Sequence, residues 1–306
     1  MKVVIAGGSG LIGSAICRAL LARGDEPVVL TRHPHRTEPM PAAVREVLWD
    51  PPAPGDWVTE LAGADVVINL AGASIGHWPW TSRRKALLLE SRVTPTRALV
   101  EAIAALPTGR RPGVLLSASG TDLYEGRDAV QADETTPPAN TFLGDLCMAW
   151  EAEALKAAGS GVRVVLMRTS SVVAPGAASL RLLALPFRLF VGGRLGTGRQ
   201  WVSWVDMADA VGLYLWAISS QDIVGPLNVT APDLRPQVEY AKALGAALHR
   251  PSWFPTPAWL IRLIFRDQAT LALGSRRVWP AKALASGYTF QRPRLEDSLE
   301  AALRQP

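Results

Sequence analysis

Apolar positions in the first half of the chain fall into two alternating rhythms. Short continuous runs have the length and β-branched content of strands buried on both faces: KVVIA (2–6), PVVLT (27–31), VREVLW (44–49), ADVVINLAG (64–72), GVLLSAS (113–119) and VRVVLMRTS (162–170). Between them the spacing turns helical. In residues 11–24, Ile12, Ile16, Ala19 and Leu20 share one face and Gly24 supplies the stop, and further helices are predicted near 83–105 and 141–158. Strands alternating with helices predict parallel strands joined by right-handed crossovers, hence an α/β fold with a doubly wound sheet.

The rhythm breaks after residue 173. Residues 174–201 are punctuated by Gly and Pro and read as an irregular excursion, 204–219 as an amphipathic helix, and PLNVTA (226–231) as a late strand. Beyond 236, short helical segments are broken by RPSWFPTPAW and VWPAKALASGY. This predicts a sheet domain at 1–173 and 204–235, and a smaller, mainly helical cap at 174–203 and 236–306.

The first strand runs straight into glycines. Gly7, Gly10 and Gly13 have the spacing G-x-x-G-x-x-G, Gly8 adds G-x-G-x-x-G, and a helix follows at once. That context suits a dinucleotide: the tight turn needs glycine dihedrals, a missing side chain admits a pyrophosphate, and the helix start offers oriented N–H groups. The predicted cradle is Gly7, Ser9, Gly10, Leu11, Ile12 and Gly13. At the end of the second strand, an acidic residue would select a free ribose 2′-hydroxyl. Here stand Thr31 and Arg32, with His33, His35 and Arg36 beyond, and an Arg guanidinium suits a 2′-phosphate. The expected cofactor is therefore NADP rather than NAD. Leu70, Ala71 and Gly72, after the fourth strand, are small enough to border it, though close packing explains them equally well.

The net charge of +5 is carried by scattered Lys and Arg, without the basic–aromatic interleaving of a nucleic-acid surface, and fits an anionic small molecule. Cys17 and Cys147 sit in helical patterns and read as buried hydrophobes, and the four histidines lack metal-ligand spacing, so no metal is expected. Apolar stretches are interrupted well short of a bilayer span. The expectation is a cytoplasmic monomer or homodimer that binds a small-molecule substrate and neither nucleic acid nor membrane.

Five stretches together, GGSGLIG, VINLAG, SRVTPTRALVEAI, GRQWVSW and GSRRVWPAKALASGYTF, resemble the extended short-chain dehydrogenase/reductases. More narrowly they resemble the atypical NAD(P)-dependent epimerase/dehydratase-like group, sugar-nucleotide epimerase-like proteins with an uncharacterised C-terminal domain. The resemblance covers nearly the whole chain. It implies a Rossmann-type sheet, a bound dinucleotide, and a substrate cleft between the sheet's C-terminal edge and the cap.

In that superfamily a Tyr serves as acid or base, a Lys four residues later lowers its pKa, and a Ser polarises the substrate oxygen. Ser119 is placed for the last role, although a strand-end hydroxyl bonding its own backbone reads equally well. Tyr124, just beyond, is a second catalytic candidate, with packing of the loop as the alternative. The Tyr-x-x-x-Lys pair itself is absent: Phe142 would pair with Leu146, or Leu143 with Cys147, and Lys156 lies more than two turns on. Asp122, Asp145 and Asp206 could replace the proton donor or simply act as caps and loop charges. Arg199 could clamp an anionic substrate group and Trp201 stack on a ring, the tryptophans otherwise sealing sheet to cap. Two readings follow. One is an NADP-dependent oxidoreductase or epimerase with a non-standard proton donor, acting on a small polar carbonyl or hydroxyl compound. The other is a non-catalytic NADP-binding sensor or regulator.

Overall fold

The computed structural model describes residues 1–33, 40–53, 55–126 and 131–304. His35 and Arg36 lie outside the described residues. The chain begins β1 (Lys2–Ala6), α1 (Leu11–Ala22), β2 (Glu26–Thr31), β3 (Arg45–Leu48), α2 (Trp57–Leu61) and β4 (Val66–Asn69). It continues α3 (Ser82–Ala105), β5 (Val114–Gly120), α4 (Phe142–Leu155), β6 (Arg163–Thr169), β7 (Ser171–Val173) and α5 (Ala178–Arg188). Then come β8 (Trp201–Val202), β9 (Trp204–Asp206), α6 (Met207–Ser219), β10 (Gly225–Val229) and β11 (Arg235–Pro236). Helices α7 (Gln237–Ala247), α8 (Ala258–Phe265), α9 (Thr270–Leu273), α10 (Ala281–Ala285) and α11 (Leu295–Leu303) complete it.

Strand alternation decides which helices cover which face. Val3 and Ile5 of β1 join a core with Ile16 and Leu20 of α1 and Leu213 and Tyr214 of α6. Val4 and Ala6 join a second core with Leu99 and Ile103 of α3. Burial on both sides is why the strands read as unbroken apolar runs. Seven strands form one parallel sheet in the order β3-β2-β1-β4-β5-β6-β10. The chain moves outward from β1 through β2 to β3, then crosses back to start again at β4. The crevice between the carboxyl ends of β1 and β4 is thus the switch point where doubly wound sheets bind ligands. The Rossmann-type α/β fold is as the periodicity predicts.

Two segments differ from expectation. The stretch 174–201 is not wholly irregular, because α5 occupies Ala178–Arg188 and contains Pro186. Its Leu180, Ala184 and Phe187 are buried, and Leu180 and Phe187 pack in a cap core with Tyr240, Leu244 and Leu299. The segment 204–219 is not one helix. Trp204–Asp206 is strand β9, paired in parallel with β7, and the helix starts at Met207. Asp206 makes the break by capping: its Oδ1 accepts from the Ala208 N–H at 2.7 Å and its Oδ2 from the Ser298 hydroxyl at 2.7 Å. Asp209 accepts from the N–H groups of Gln291 and Arg292 at 2.7 and 2.9 Å, so two aspartates at the head of α6 tie the final segment to the sheet.

The outer side of β10 is closed by side chains. The Asn228 N–H donates to Glu134 Oε1 at 3.0 Å, and Lys282 Nζ donates to the carbonyls of Val224 and Pro226.

Where β1 meets α1, backbone lies directly on backbone. A Cβ at Gly13 would stand 2.6 Å from Gly8 Cα and Gly8 O. Gly13→Ala is therefore expected to destabilise the protein by about 1–3 kcal/mol in urea denaturation, whereas Gly24→Ala is strained only by its positive φ.

Candidate functional site

The turn after β1 is built by hydrogen bonds that glycine permits. The Gly7 N–H donates to the Leu30 carbonyl and the Gly10 N–H to the Gly7 carbonyl, each at 3.1 Å. Gly7 sits at φ 74°, and a Cβ there would press to 3.0 Å on the Leu70 carbonyl. Gly10 is the N-cap of α1, and no side chain caps it. The first-turn amides of α1 consequently have no acceptor within the helix, and they border open space. A diphosphate fits this cradle: bare backbone, uncapped helix start, and no acidic residue in the first turn.

The space is a cavity of about 410 Å³. Gly7, Gly10, Leu11, Ile12, Gly13, Leu70 and Gly72 wall one end, and Ser119, Gly120, Leu143, Cys147 and Thr169 the other. Ser9 is exposed on the turn, and Ala71 packs half-buried into the second core with its N–H on Asn69 Oδ1 at 3.2 Å. Thr31 closes β2 beside the glycines, its hydroxyl accepting from the His33 N–H at 3.3 Å, and Arg32 projects exposed next to it. A separate hollow of about 470 Å³ beside α6 is lined by the capping Asp206 and Arg292 and by none of the glycines of the turn after β1.

Behind Ser119 runs a buried polar chain. The Ser119 hydroxyl donates to Glu151 Oε1 at 2.7 Å, and Arg168 clamps both oxygens of Glu151 at 2.8 Å from Nε and Nη2. Arg168 Nη1 also donates to the Tyr124 hydroxyl, which in turn donates to Asn228 Oδ1 at 3.1 Å. Burial lowers the Arg168 pKa, but its bonds to Glu151 outweigh this and leave it raised overall.

The profile of the NAD-dependent epimerase/dehydratase family matches residues 3–229. The chain belongs to that family. A domain of unknown function, DUF1731, matches residues 256–302. An epimerase family protein of Mycobacterium leprae is 36% identical over 99% of this chain and 96% of its own length. The mouse epimerase family protein SDR39U1 is 32% identical over 98% and 99%. The crystal structure of human SDR39U1 with NADPH superposes with a TM-score of 0.89 at 29% identity, covering both chains fully.

Within this family fold, the two registers left open for the missing Tyr-x-x-x-Lys pair are distinguished by geometry. Leu143, Leu146 and Cys147 line the cavity, whereas Phe142, at the Tyr position of the other register, packs edge-on against Trp80. Burial pushes the Cys147 thiol up to about 12, so it stays protonated and inert. Tyr124, a candidate for reaching substrate, is fully buried and enclosed by Arg168 and Asn228, outside the residues lining the cavity. Burial pushes its phenol up to about 12, with Arg168 opposing. Asp122 does line the cavity, ion-paired to Arg276 at 2.8 Å. Asp145 is exposed on α4, and Asp206 is a cap. Arg199 is exposed and Trp201 half-buried beneath the Arg277 guanidinium, and neither lines the cavity. Trp204 is buried, with its indole N–H on the Asp233 carbonyl at 2.9 Å.

Arg92 is the residue that sequence reasoning missed. It is only 9% exposed, lies over the Trp150 ring, and would touch a Cβ at Gly72 at 3.2 Å. Its Nη1 donates to the Leu88 carbonyl at 2.9 Å, its Nε has no partner, and no carboxylate pairs with it among the described residues. Burial lowers its pKa, and Cys147 and Asp122 oppose the shift. The cavity wall thus carries a cation with no carboxylate partner among the described residues, close enough to Cys147 to interact with it electrostatically. The signal was the Arg inside SRVTPT, which on an isolated helix pattern reads as a solvated charge.

Burial raises the pKa of Tyr124 to about 12 from an ordinary value of 10.0, and raises Tyr214, Tyr240 and Tyr288 as well. All four phenols are protonated in both states at neutral pH. Above 10.0 the unfolded chain releases protons that the folded one retains, so stability is intact below that pH and falls as pH rises through about 12. An ultraviolet titration should show phenolate only as the protein unfolds. Phenolate at pH 10 in folded protein would contradict the burial of these rings.

Proposed function

We propose that the protein binds NADP(H) along the glycine turn and uses it to oxidise or reduce a small polar hydroxyl or carbonyl compound. The observation that carries the reading is the single continuous cavity running from the uncapped start of α1 to Ser119. Support comes also from the NADPH present in the human SDR39U1 structure. The amides of Leu11, Ile12 and Gly13 would hold the diphosphate, Arg32 the 2′-phosphate, and Arg92 the ribose at the far end in place of the absent Lys.

NADPH, when bound, supplies a hydride at its nicotinamide ring. The chain's own residues manage the proton. Because the Ser119 proton is given to Glu151, the Oγ lone pairs are free to accept from a substrate hydroxyl. In the oxidising direction, that hydroxyl proton passes to Ser119 Oγ as the serine's own proton passes to Glu151 Oε1. Reduction runs the same relay backwards and delivers a proton to the carbonyl oxygen. Arg168 fixes the carboxylate under the serine. The apolar floor of Leu143, Leu146 and Cys147 favours the second reading, in which the nucleotide is held without turnover.

Two experiments test this. In fluorescence titrations with both coenzymes, Arg32→Glu should weaken NADPH relative to NADH by about tenfold, while Arg92→Met weakens both alike. An unchanged NADPH:NADH ratio in Arg32→Glu would remove the basis for NADP selection. NADPH oxidation should be measured against a panel of small aldehydes, ketones and keto acids. There Ser119→Ala should lower kcat about a hundredfold with coenzyme affinity unchanged, and tight binding with no consumption across the panel supports the sensor instead.

A further inference from the structure

The cap carries a surface that the nucleotide site does not use. Leu189, Trp253, Trp259 and Leu263 are 63%, 70%, 65% and 69% exposed, and Leu182, Leu185, Phe190, Phe254 and Ile264 are also exposed. Backbone ties make these one face. The Trp253 indole donates to the Phe190 carbonyl at 3.0 Å, the Phe254 N–H to Gly192 at 3.1 Å, and the Thr256 N–H to Arg194 at 2.9 Å. The 190–194 turn that follows α5 is therefore held against the 253–256 segment that leads into α8.

Charge decides what this face meets. No Asp or Glu occurs from 176 to 199 or from 240 to 266, whereas Arg181, Arg188, Arg194, Arg250, Arg262 and Arg266 do. A second copy would set these arginines against one another, at a cost to any self-paired interface. Exposed tryptophan, phenylalanine and leucine between arginines is instead the composition of an interfacial face: aromatic rings settle at headgroup depth, and arginine stems lie along the apolar layer with the guanidinium at phosphate level. Two contacts join the face to the rim of the cavity. Trp78 Nε1 donates to the Ile264 carbonyl at 3.1 Å, and Gln268 Nε2 to the carbonyl of Ile75, a lining residue, at 2.9 Å.

We infer that this cap face docks the protein on an anionic phospholipid surface, with the rim of the cavity held beside the lipid. The inference stands independently of which nucleotide the cavity takes. The test is co-sedimentation of the full chain with vesicles of phosphatidylcholine alone and of phosphatidylcholine with phosphatidylglycerol. The expected result is at least about tenfold stronger partition onto the anionic vesicles, falling as salt is raised. Trp259→Glu with Leu263→Glu should abolish sedimentation without changing the melting temperature, since both side chains are exposed. Arg188→Glu with Arg262→Glu should remove the preference for anionic lipid. Equal sedimentation with both vesicle types overturns the inference. So does a concentration-dependent dimer that the Trp259→Glu, Leu263→Glu variant dissociates while the parent ignores vesicles.

Discussion

The contact of Gly13 on Gly8, main chain against main chain, is the constraint on which the site rests. It brings the start of α1 down onto the turn leaving β1, so that the uncapped amides face the crevice where β1 and β4 diverge. A Cβ at Gly13 would press on Gly8 and lift the helix away, and one at Gly8 would stand 2.6 Å from Val29 Cγ2 in the sheet. The same close approach is repeated at Gly7 against Leu70, which draws the loop after β4 over the other wall. Sheet order and glycine packing therefore produce one result together: a concave, amide-lined pocket at the switch point of the sheet.

The polar interior is organised around a second constraint, the ion pair of Arg168 and Glu151 between β6 and α4. Two charges removed from water are tolerated only when geometry is good and remaining lone pairs are filled. Here both carboxylate oxygens are clamped, and Ser119 and Tyr124 complete the set. That arrangement explains why Tyr124 is drawn inward: the short turn Thr121–Tyr124 after β5 buries its ring, and Arg168 stacks on it at 5.3 Å. Among the described residues, the cavity is then lined by the Ser119 hydroxyl, the Arg92 guanidinium, the ion-paired Asp122 and an apolar floor.

Much of this was written in the sequence. Continuous strand runs, helical spacing and the glycine pattern depend on local order and burial, and they placed the sheet and the glycine turn between β1 and α1. The misplacements share a cause, since each depends on partners distant in sequence. Helix α5 was hidden because Pro186 and the neighbouring glycines mimic a loop, while its buried face answers to Tyr240 and Leu299 far along the chain. The start of α6 was misjudged because Asp206 becomes a cap only when β9 pairs with β7. Arg92 was passed over because a lone arginine on a helix looks solvated until Gly72 and Trp150 close around it.

The way β10 ends the sheet has a further consequence. An outermost strand normally offers a ladder of free amides and carbonyls to any extended peptide that comes alongside. Here Glu134 occupies an amide of that ladder, and the Lys282 ammonium occupies two carbonyls beside it. An incoming strand would have to displace a carboxylate and an ammonium before forming its first bond. On that side the sheet is terminated chemically, and strand-by-strand polymerisation has no template from which to grow.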